Sequence, residues 1–183
     1  MLCELDLSSN YNHIIYKQET IPNSLNLKTI YGIPHTKNIH IVSLKKEKIN
    51  AFGIDFKCSS INNIFDNIMC DGQIINVERK KINGIAFLGF SEMGTVCDEI
   101  NLGAKDTIIP MQIVLKTFHT DRFRGIDDIG KNAYCKLAFY VDGDDGQKHG
   151  IFFWKINLLE PIVIDFIKLP VNCALHLMAI TLI

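Results

Sequence analysis

The chain has 183 residues, 48% of them apolar or aromatic, and sets 19 basic against 20 acidic side chains for a net charge of -1. That length suits one domain spanning residues 1–183 around a single sizeable core, and this apolar content excludes a disordered chain. The balanced charge excludes the basic field that phosphate neutralisation needs, so no nucleic-acid partner is expected.

The first residues, Met1 to Asp6, hold no basic stretch followed by an apolar one, so no secretory signal is expected and the compartment reads as cytoplasmic. No apolar run reaches the roughly 18 residues that span a bilayer, which argues against a membrane partner. The six cysteines, Cys3, Cys58, Cys70, Cys97, Cys135 and Cys173, contain no C-x-x-C pair. They read as thiols acting as small hydrophobes in a reducing compartment, and zinc is not expected from their spacing.

No segment sustains apolar residues at helical spacing for three turns behind a cap. Strand signals recur instead. In chain order they are Ile39 to Leu44, Ala51 to Lys57, Gln73 to Val77, Gly84 to Phe90, Gln112 to Thr117, Lys136 to Val141, Gly150 to Asn157, Ile162 to Leu169 and Leu175 to Leu182. Each is short, rich in β-branched and aromatic residues, and bounded by Gly, Pro, Asn or Asp. The turn signals are Asp71-Gly72, Asp142 to Gly146, and Leu169-Pro170-Val171-Asn172. These elements predict an all-β domain, an antiparallel two-sheet β-sandwich. The longest irregular segment, 118–132, reads FHTDRFRGIDDIGKN, and long loops on a β scaffold are where binding groups gather.

Several stretches resemble, in the same order, the jelly-roll module appended to bacterial glycosidases such as α-mannosidases. Leu5 to Asn12 is similar to that module's first strand and Tyr-Asn turn, and Gly53-Ile54-Asp55-Phe56 to its Gly-Ile-x-Phe strand. Asp66 to Gln73, followed by Gly84 to Gly94, resembles its turn and central Leu-Gly strand. Ile167-Lys168-Leu169-Pro170 and the closing His176 to Leu182 resemble its last two strands. The resemblance implies a jelly roll that binds carbohydrate without catalysing a reaction. It departs from the pattern after Gln112 to Thr117, where the module often has tryptophan and this chain has Phe118-His119-Thr120-Asp121.

Sugar recognition needs an apolar platform beside fixed polar groups. Phe118, His119, Asp121, Arg122 and Phe123 supply that mixture in one loop; an alternative is that both phenylalanines pack back on the scaffold. Trp154, the only tryptophan, is either a second platform or a core anchor, and period two sets it with Phe152 and opposite Phe153. Asp142, Asp144 and Asp145 could collect a structural Ca²⁺, although Gln147 and Phe153 stand where an EF-hand loop needs Gly and Glu, and a solvated hairpin turn also fits. No other cofactor is expected. Glu92, Asp98 and Glu99 read as surface carboxylates, and His119, His149 and His176 are isolated, so no enzyme is expected. The alternative to carbohydrate binding is a structural domain that packs on a partner protein or a catalytic domain.

Overall fold

The computed structural model describes residues 2–13, 48–58, 66–104, 107–118, 135–142 and 146–183. Every regular element among them is a strand: β1 (Cys3–Glu4), β2 (Lys48–Ala51), β3 (Ile54–Lys57), β4 (Ile68–Asp71), β5 (Ile74–Ser91), β6 (Val96–Ala104), β7 (Thr107–Leu115), β8 (Lys136–Asp142), β9 (Lys148–Lys168) and β10 (Val171–Leu182). The expected all-β class therefore holds, and the paired strands are antiparallel. None of the described residues forms a helix long and apolar enough to cross a membrane.

Eight strands form one sheet with the order β1-β10-β5-β9-β6-β7, with β4 added beside β10 and β8 beside β9, while β2 and β3 form a separate hairpin. The predicted pairs Gln73 to Val77 with Gly84 to Phe90, and Gly150 to Asn157 with Ile162 to Leu169, are each one continuous strand, of 18 and 21 residues. The predicted single strand Ala51 to Lys57 is instead a hairpin, because Phe52 and Gly53 both take positive φ (51° and 78°), the twist that a two-residue turn requires. β4 and β6 lie where no strand was expected. Ile39 to Leu44 lies outside the described residues.

The strand β5 cannot run straight. Met69 and Phe90 both pair with His176, one on each side of β10, which sets them about 10 Å apart. Ile74 follows Met69 after only four intervening residues, so the two ends of β5 lie at most roughly 30 Å apart, whereas 18 extended residues would span nearly 60 Å. The bend falls at the register shifts against β9, between Asn76 and Lys80 and between Ile82 and Gly84, where extra residues on one strand face fewer on the other. β5 and β9 thus share two pairings: Ile74 to Ile82 against Ile162 to Lys168, and Gly84 to Gly89 against Phe152 to Asn157.

Strict alternation in the second pairing sends side chains to opposite faces. Ile85, Phe87, Phe152 and Trp154 join a core with Ile100, Leu102, Ile113 and Leu115 from β6 and β7. Ala86, Leu88, Ile151 and Phe153 join a second core with Ile49, Ala51, Ile54 and Phe56 from the β2–β3 hairpin. Three of the cysteines, Cys58, Cys70 and Cys135, are buried apolar fillers; burial pushes the Cys58 thiol up to about 12 and the Cys135 thiol up to about 11.

Candidate functional site

His176 sits in the closing strand between apolar neighbours, Leu175 and Leu177, and is fully buried. A buried imidazole must be hydrogen-bonded, and the partner is Asn67, whose Oδ1 lies 2.9 Å from His176 Nδ1. Asn67 is itself fully buried. Its amide is oriented by Asp66, whose carboxylate accepts from Asn67 Nδ2 at 2.7 Å. With Nδ2 committed as a donor, Oδ1 is the acceptor, so His176 carries a proton on Nδ1 and turns Nε2 toward Glu92. That Nε2 lies 3.5 Å from Glu92 Oε1.

The N-terminal segment brings a second imidazole to the same place. The Tyr11 hydroxyl donates to the carbonyl of Met178 at 2.9 Å. Asn12 imitates a strand residue against β4: its Nδ2 donates to the Met69 carbonyl at 3.0 Å and its Oδ1 accepts the Met69 N–H at 2.7 Å. His13 then bridges to Asn67 through the backbone, and its Nδ1 lies 3.2 Å from Asn67 Nδ2. The rings of His13 and His176 meet edge to face at 4.6 Å. Ligand atoms of His13, Glu92 and His176 all lie within 4.8 Å of one another.

Glu92 follows the end of β5 and is held there by its N–H, which donates to the Ala174 carbonyl at 2.9 Å. Burial pushes its carboxyl up to about 7, because a low-dielectric setting disfavours the charged form. Below the cluster the rings continue as a stack: Phe90 lies parallel to His176 at 4.8 Å, Phe118 contacts Phe90 at 4.6 Å, and His149 stacks on Phe118 at 4.4 Å. The cluster therefore rests on a packed column, which fixes the position of the His176 ring.

The residues singled out in the sequence fall elsewhere or outside the described chain. Phe118 is buried in that column, at 3% exposure. Trp154 is buried with Phe152 in the core on the other face of the sheet, and its Nε1 donates to the Gln112 carbonyl at 3.1 Å. The structure does not bring Phe118 and Trp154 together. Asp142 ends β8, exposed and paired in register with Lys148. His119, Asp121, Arg122, Phe123, Asp144 and Asp145 lie outside the described residues.

His13, Asp66, Asn67, Glu92 and His176 were not expected to act together. The available signal was a polar residue where the pattern demands an apolar one: His176 interrupts Ala174 to Ala179, and Asp66-Asn67 stands directly before the apolar Ile68 to Cys70. No family model matches the chain, and no curated protein matches it.

Proposed function

We propose that this chain is a non-catalytic β-domain that binds a glycan, or another ligand rich in hydroxyls, at the end of the sheet where the segment after Phe118 leaves it. The observation that supports this reading is the anchoring of Phe118. Its N–H donates to the Ser91 carbonyl at 2.7 Å, its carbonyl accepts from the Gly150 N–H at 3.0 Å, and its ring is held between Phe90 and His149. The proposed ligand groups, His119, Asp121, Arg122 and Phe123, follow Phe118 in the sequence and mix the aromatic and polar side chains that hydroxyl recognition requires.

The jelly-roll form of this proposal, with two sheets around one core and an accessory role beside a bacterial glycosidase, is supported by the bend in β5 and β9. Ile75 and Ile82 from one arm of β5 share a core with Ile85 and Phe87 from the other. A sheet folded on itself in this way buries its inner face as a sandwich does.

A glycan array with the purified chain tests the binding role, repeated with Asp121→Ala, Arg122→Ala and Phe123→Ala together. These replace Phe118 as the positions to vary, since removing the buried Phe118 ring would leave a cavity in the core. Binding by the wild type and its loss in the triple variant supports the reading. A folded wild type that retains no glycan overturns it.

A second reading, docking onto a partner chain, is favoured by exposed apolar side chains along the β5–β9 pair and the turn into β10: Ile74, Leu159, Val163 and Val171. Changing Leu159 and Val163 to Asp should abolish self-association or co-purification with a glycosidase domain if that face is the interface.

A further inference from the structure

We propose that His13, Glu92 and His176 form a binding site for one first-row divalent transition-metal ion of the zinc type. The argument begins with the buried Asp66–Asn67 pair. Asp66 fixes the Asn67 amide, and the amide then fixes both imidazoles: Oδ1 accepts from His176 Nδ1, and Nδ2 donates toward His13 Nδ1. His176 presents Nε2 toward Glu92, and His13, whose Nδ1 accepts from Asn67, supplies a ring nitrogen once its ring moves off that amide. Glu92 adds carboxylate oxygens at the same point. Two imidazoles with one carboxylate, their ligand atoms all within 4.8 Å of one another, are a ligand set that transition metals take.

The geometry agrees. With metal–ligand bonds of about 2.0–2.1 Å, the edge of a zinc tetrahedron is about 3.3 Å. His176 Nε2 and Glu92 Oε1 are already separated by 3.5 Å, and the whole set lies within 4.8 Å, so closing on an ion requires a movement of His13 rather than of the buried His176. The amide carbonyl behind His176 Nδ1 is the outer partner that metal-bound histidines use to fix their tautomer. With three protein ligands, the remaining position belongs to water or to an oxygen of a bound ligand.

The test uses the purified full chain, stripped with a chelator, and titrated with Co²⁺ and then with Zn²⁺ in competition. The expected result is one equivalent of Co²⁺ with visible ligand-field bands and no thiolate charge-transfer band, displaced by Zn²⁺. Affinity should fall by about tenfold or more in both His13→Ala and Glu92→Gln, with far-UV circular dichroism unchanged. Cys97→Ser, which removes the exposed thiol, should bind as the wild type does. No saturable binding overturns the proposal, as does thiolate ligation or binding of equal strength in the two ligand variants.

Discussion

Asn67 and His176 are 109 residues apart in the chain and 2.9 Å apart in the fold, with both side chains fully buried. The same amide meets Asp66 and His13, so one side chain ties the N-terminal segment to β4 and β10. Asn67→Leu keeps the number and branching of the side-chain heavy atoms and removes every one of those bonds. The expected loss is about 2–4 kcal/mol, since buried polar partners are left without their complement. Urea unfolding with an unchanged slope measures it, and a loss below about 0.5 kcal/mol would show that the network contributes little.

Two glycines should respond in opposite order to what their backbone angles suggest. Gly53 has φ +78°, but a Cβ there meets nothing within 4 Å; Gly53→Ala should cost about 1–2 kcal/mol from backbone strain alone. Gly89 lies in the β5–β10 pairing, and a Cβ there would sit 2.2 Å from the His176 carbonyl oxygen and 2.8 Å from Leu115 Cδ1. Because backbone cannot yield as a side chain does, Gly89→Ala should cost about 3 kcal/mol. Thermal unfolding of the two variants side by side decides the order.

The fold class was legible because β-branched and aromatic runs recur between turn residues, while strand lengths were not. Pro161 and the charged run Glu78 to Lys81 look like boundaries, yet both lie inside long strands, close to the places where the β5–β9 register shifts. A bulge tolerates the missing N–H of a proline and lets charged residues face solvent, so local punctuation overstated the number of breaks. The hairpin at Phe52-Gly53 was missed because phenylalanine is an unusual occupant of a positive-φ turn position. The His13–Glu92–His176 cluster left almost no linear trace. Its parts come from the N-terminal segment, the end of β5 and the middle of β10, and only the folded register joins them.

Trp154 is a natural reporter, being the only tryptophan in the chain. At 6% exposure its emission should be blue-shifted and poorly quenched by acrylamide. Addition of a glycan should leave it unchanged, whereas a stacking platform would respond to the sugar. Trp154→Phe removes the hydrogen bond to the Gln112 carbonyl and should cost about 1–2 kcal/mol. An emission maximum typical of exposed indole would contradict the burial on which both expectations rest.

Lys57 Nζ donates to Asp6 Oδ2 at 2.6 Å, and the Ser8 N–H donates to Asp6 Oδ1 at 3.0 Å. The lysine first, and the serine after it, lower the Asp6 carboxyl to about 2. A carboxyl with a lowered folded pKa adds stability above its ordinary value of 3.8, and that stability is lost as pH falls from there through about 2. Both side chains are about half exposed, at 46% and 57%, so screening keeps the contribution below about 1 kcal/mol. In Lys57→Met the Asp6 titration followed by NMR should move up toward the ordinary carboxylate range but stay below it, because the Ser8 bond persists. The variant should lose its small stability difference from wild type below pH about 2, where Asp6 is protonated in both proteins. A titration curve identical to wild type would mean that β3 and the N-terminal segment are not joined by this pair.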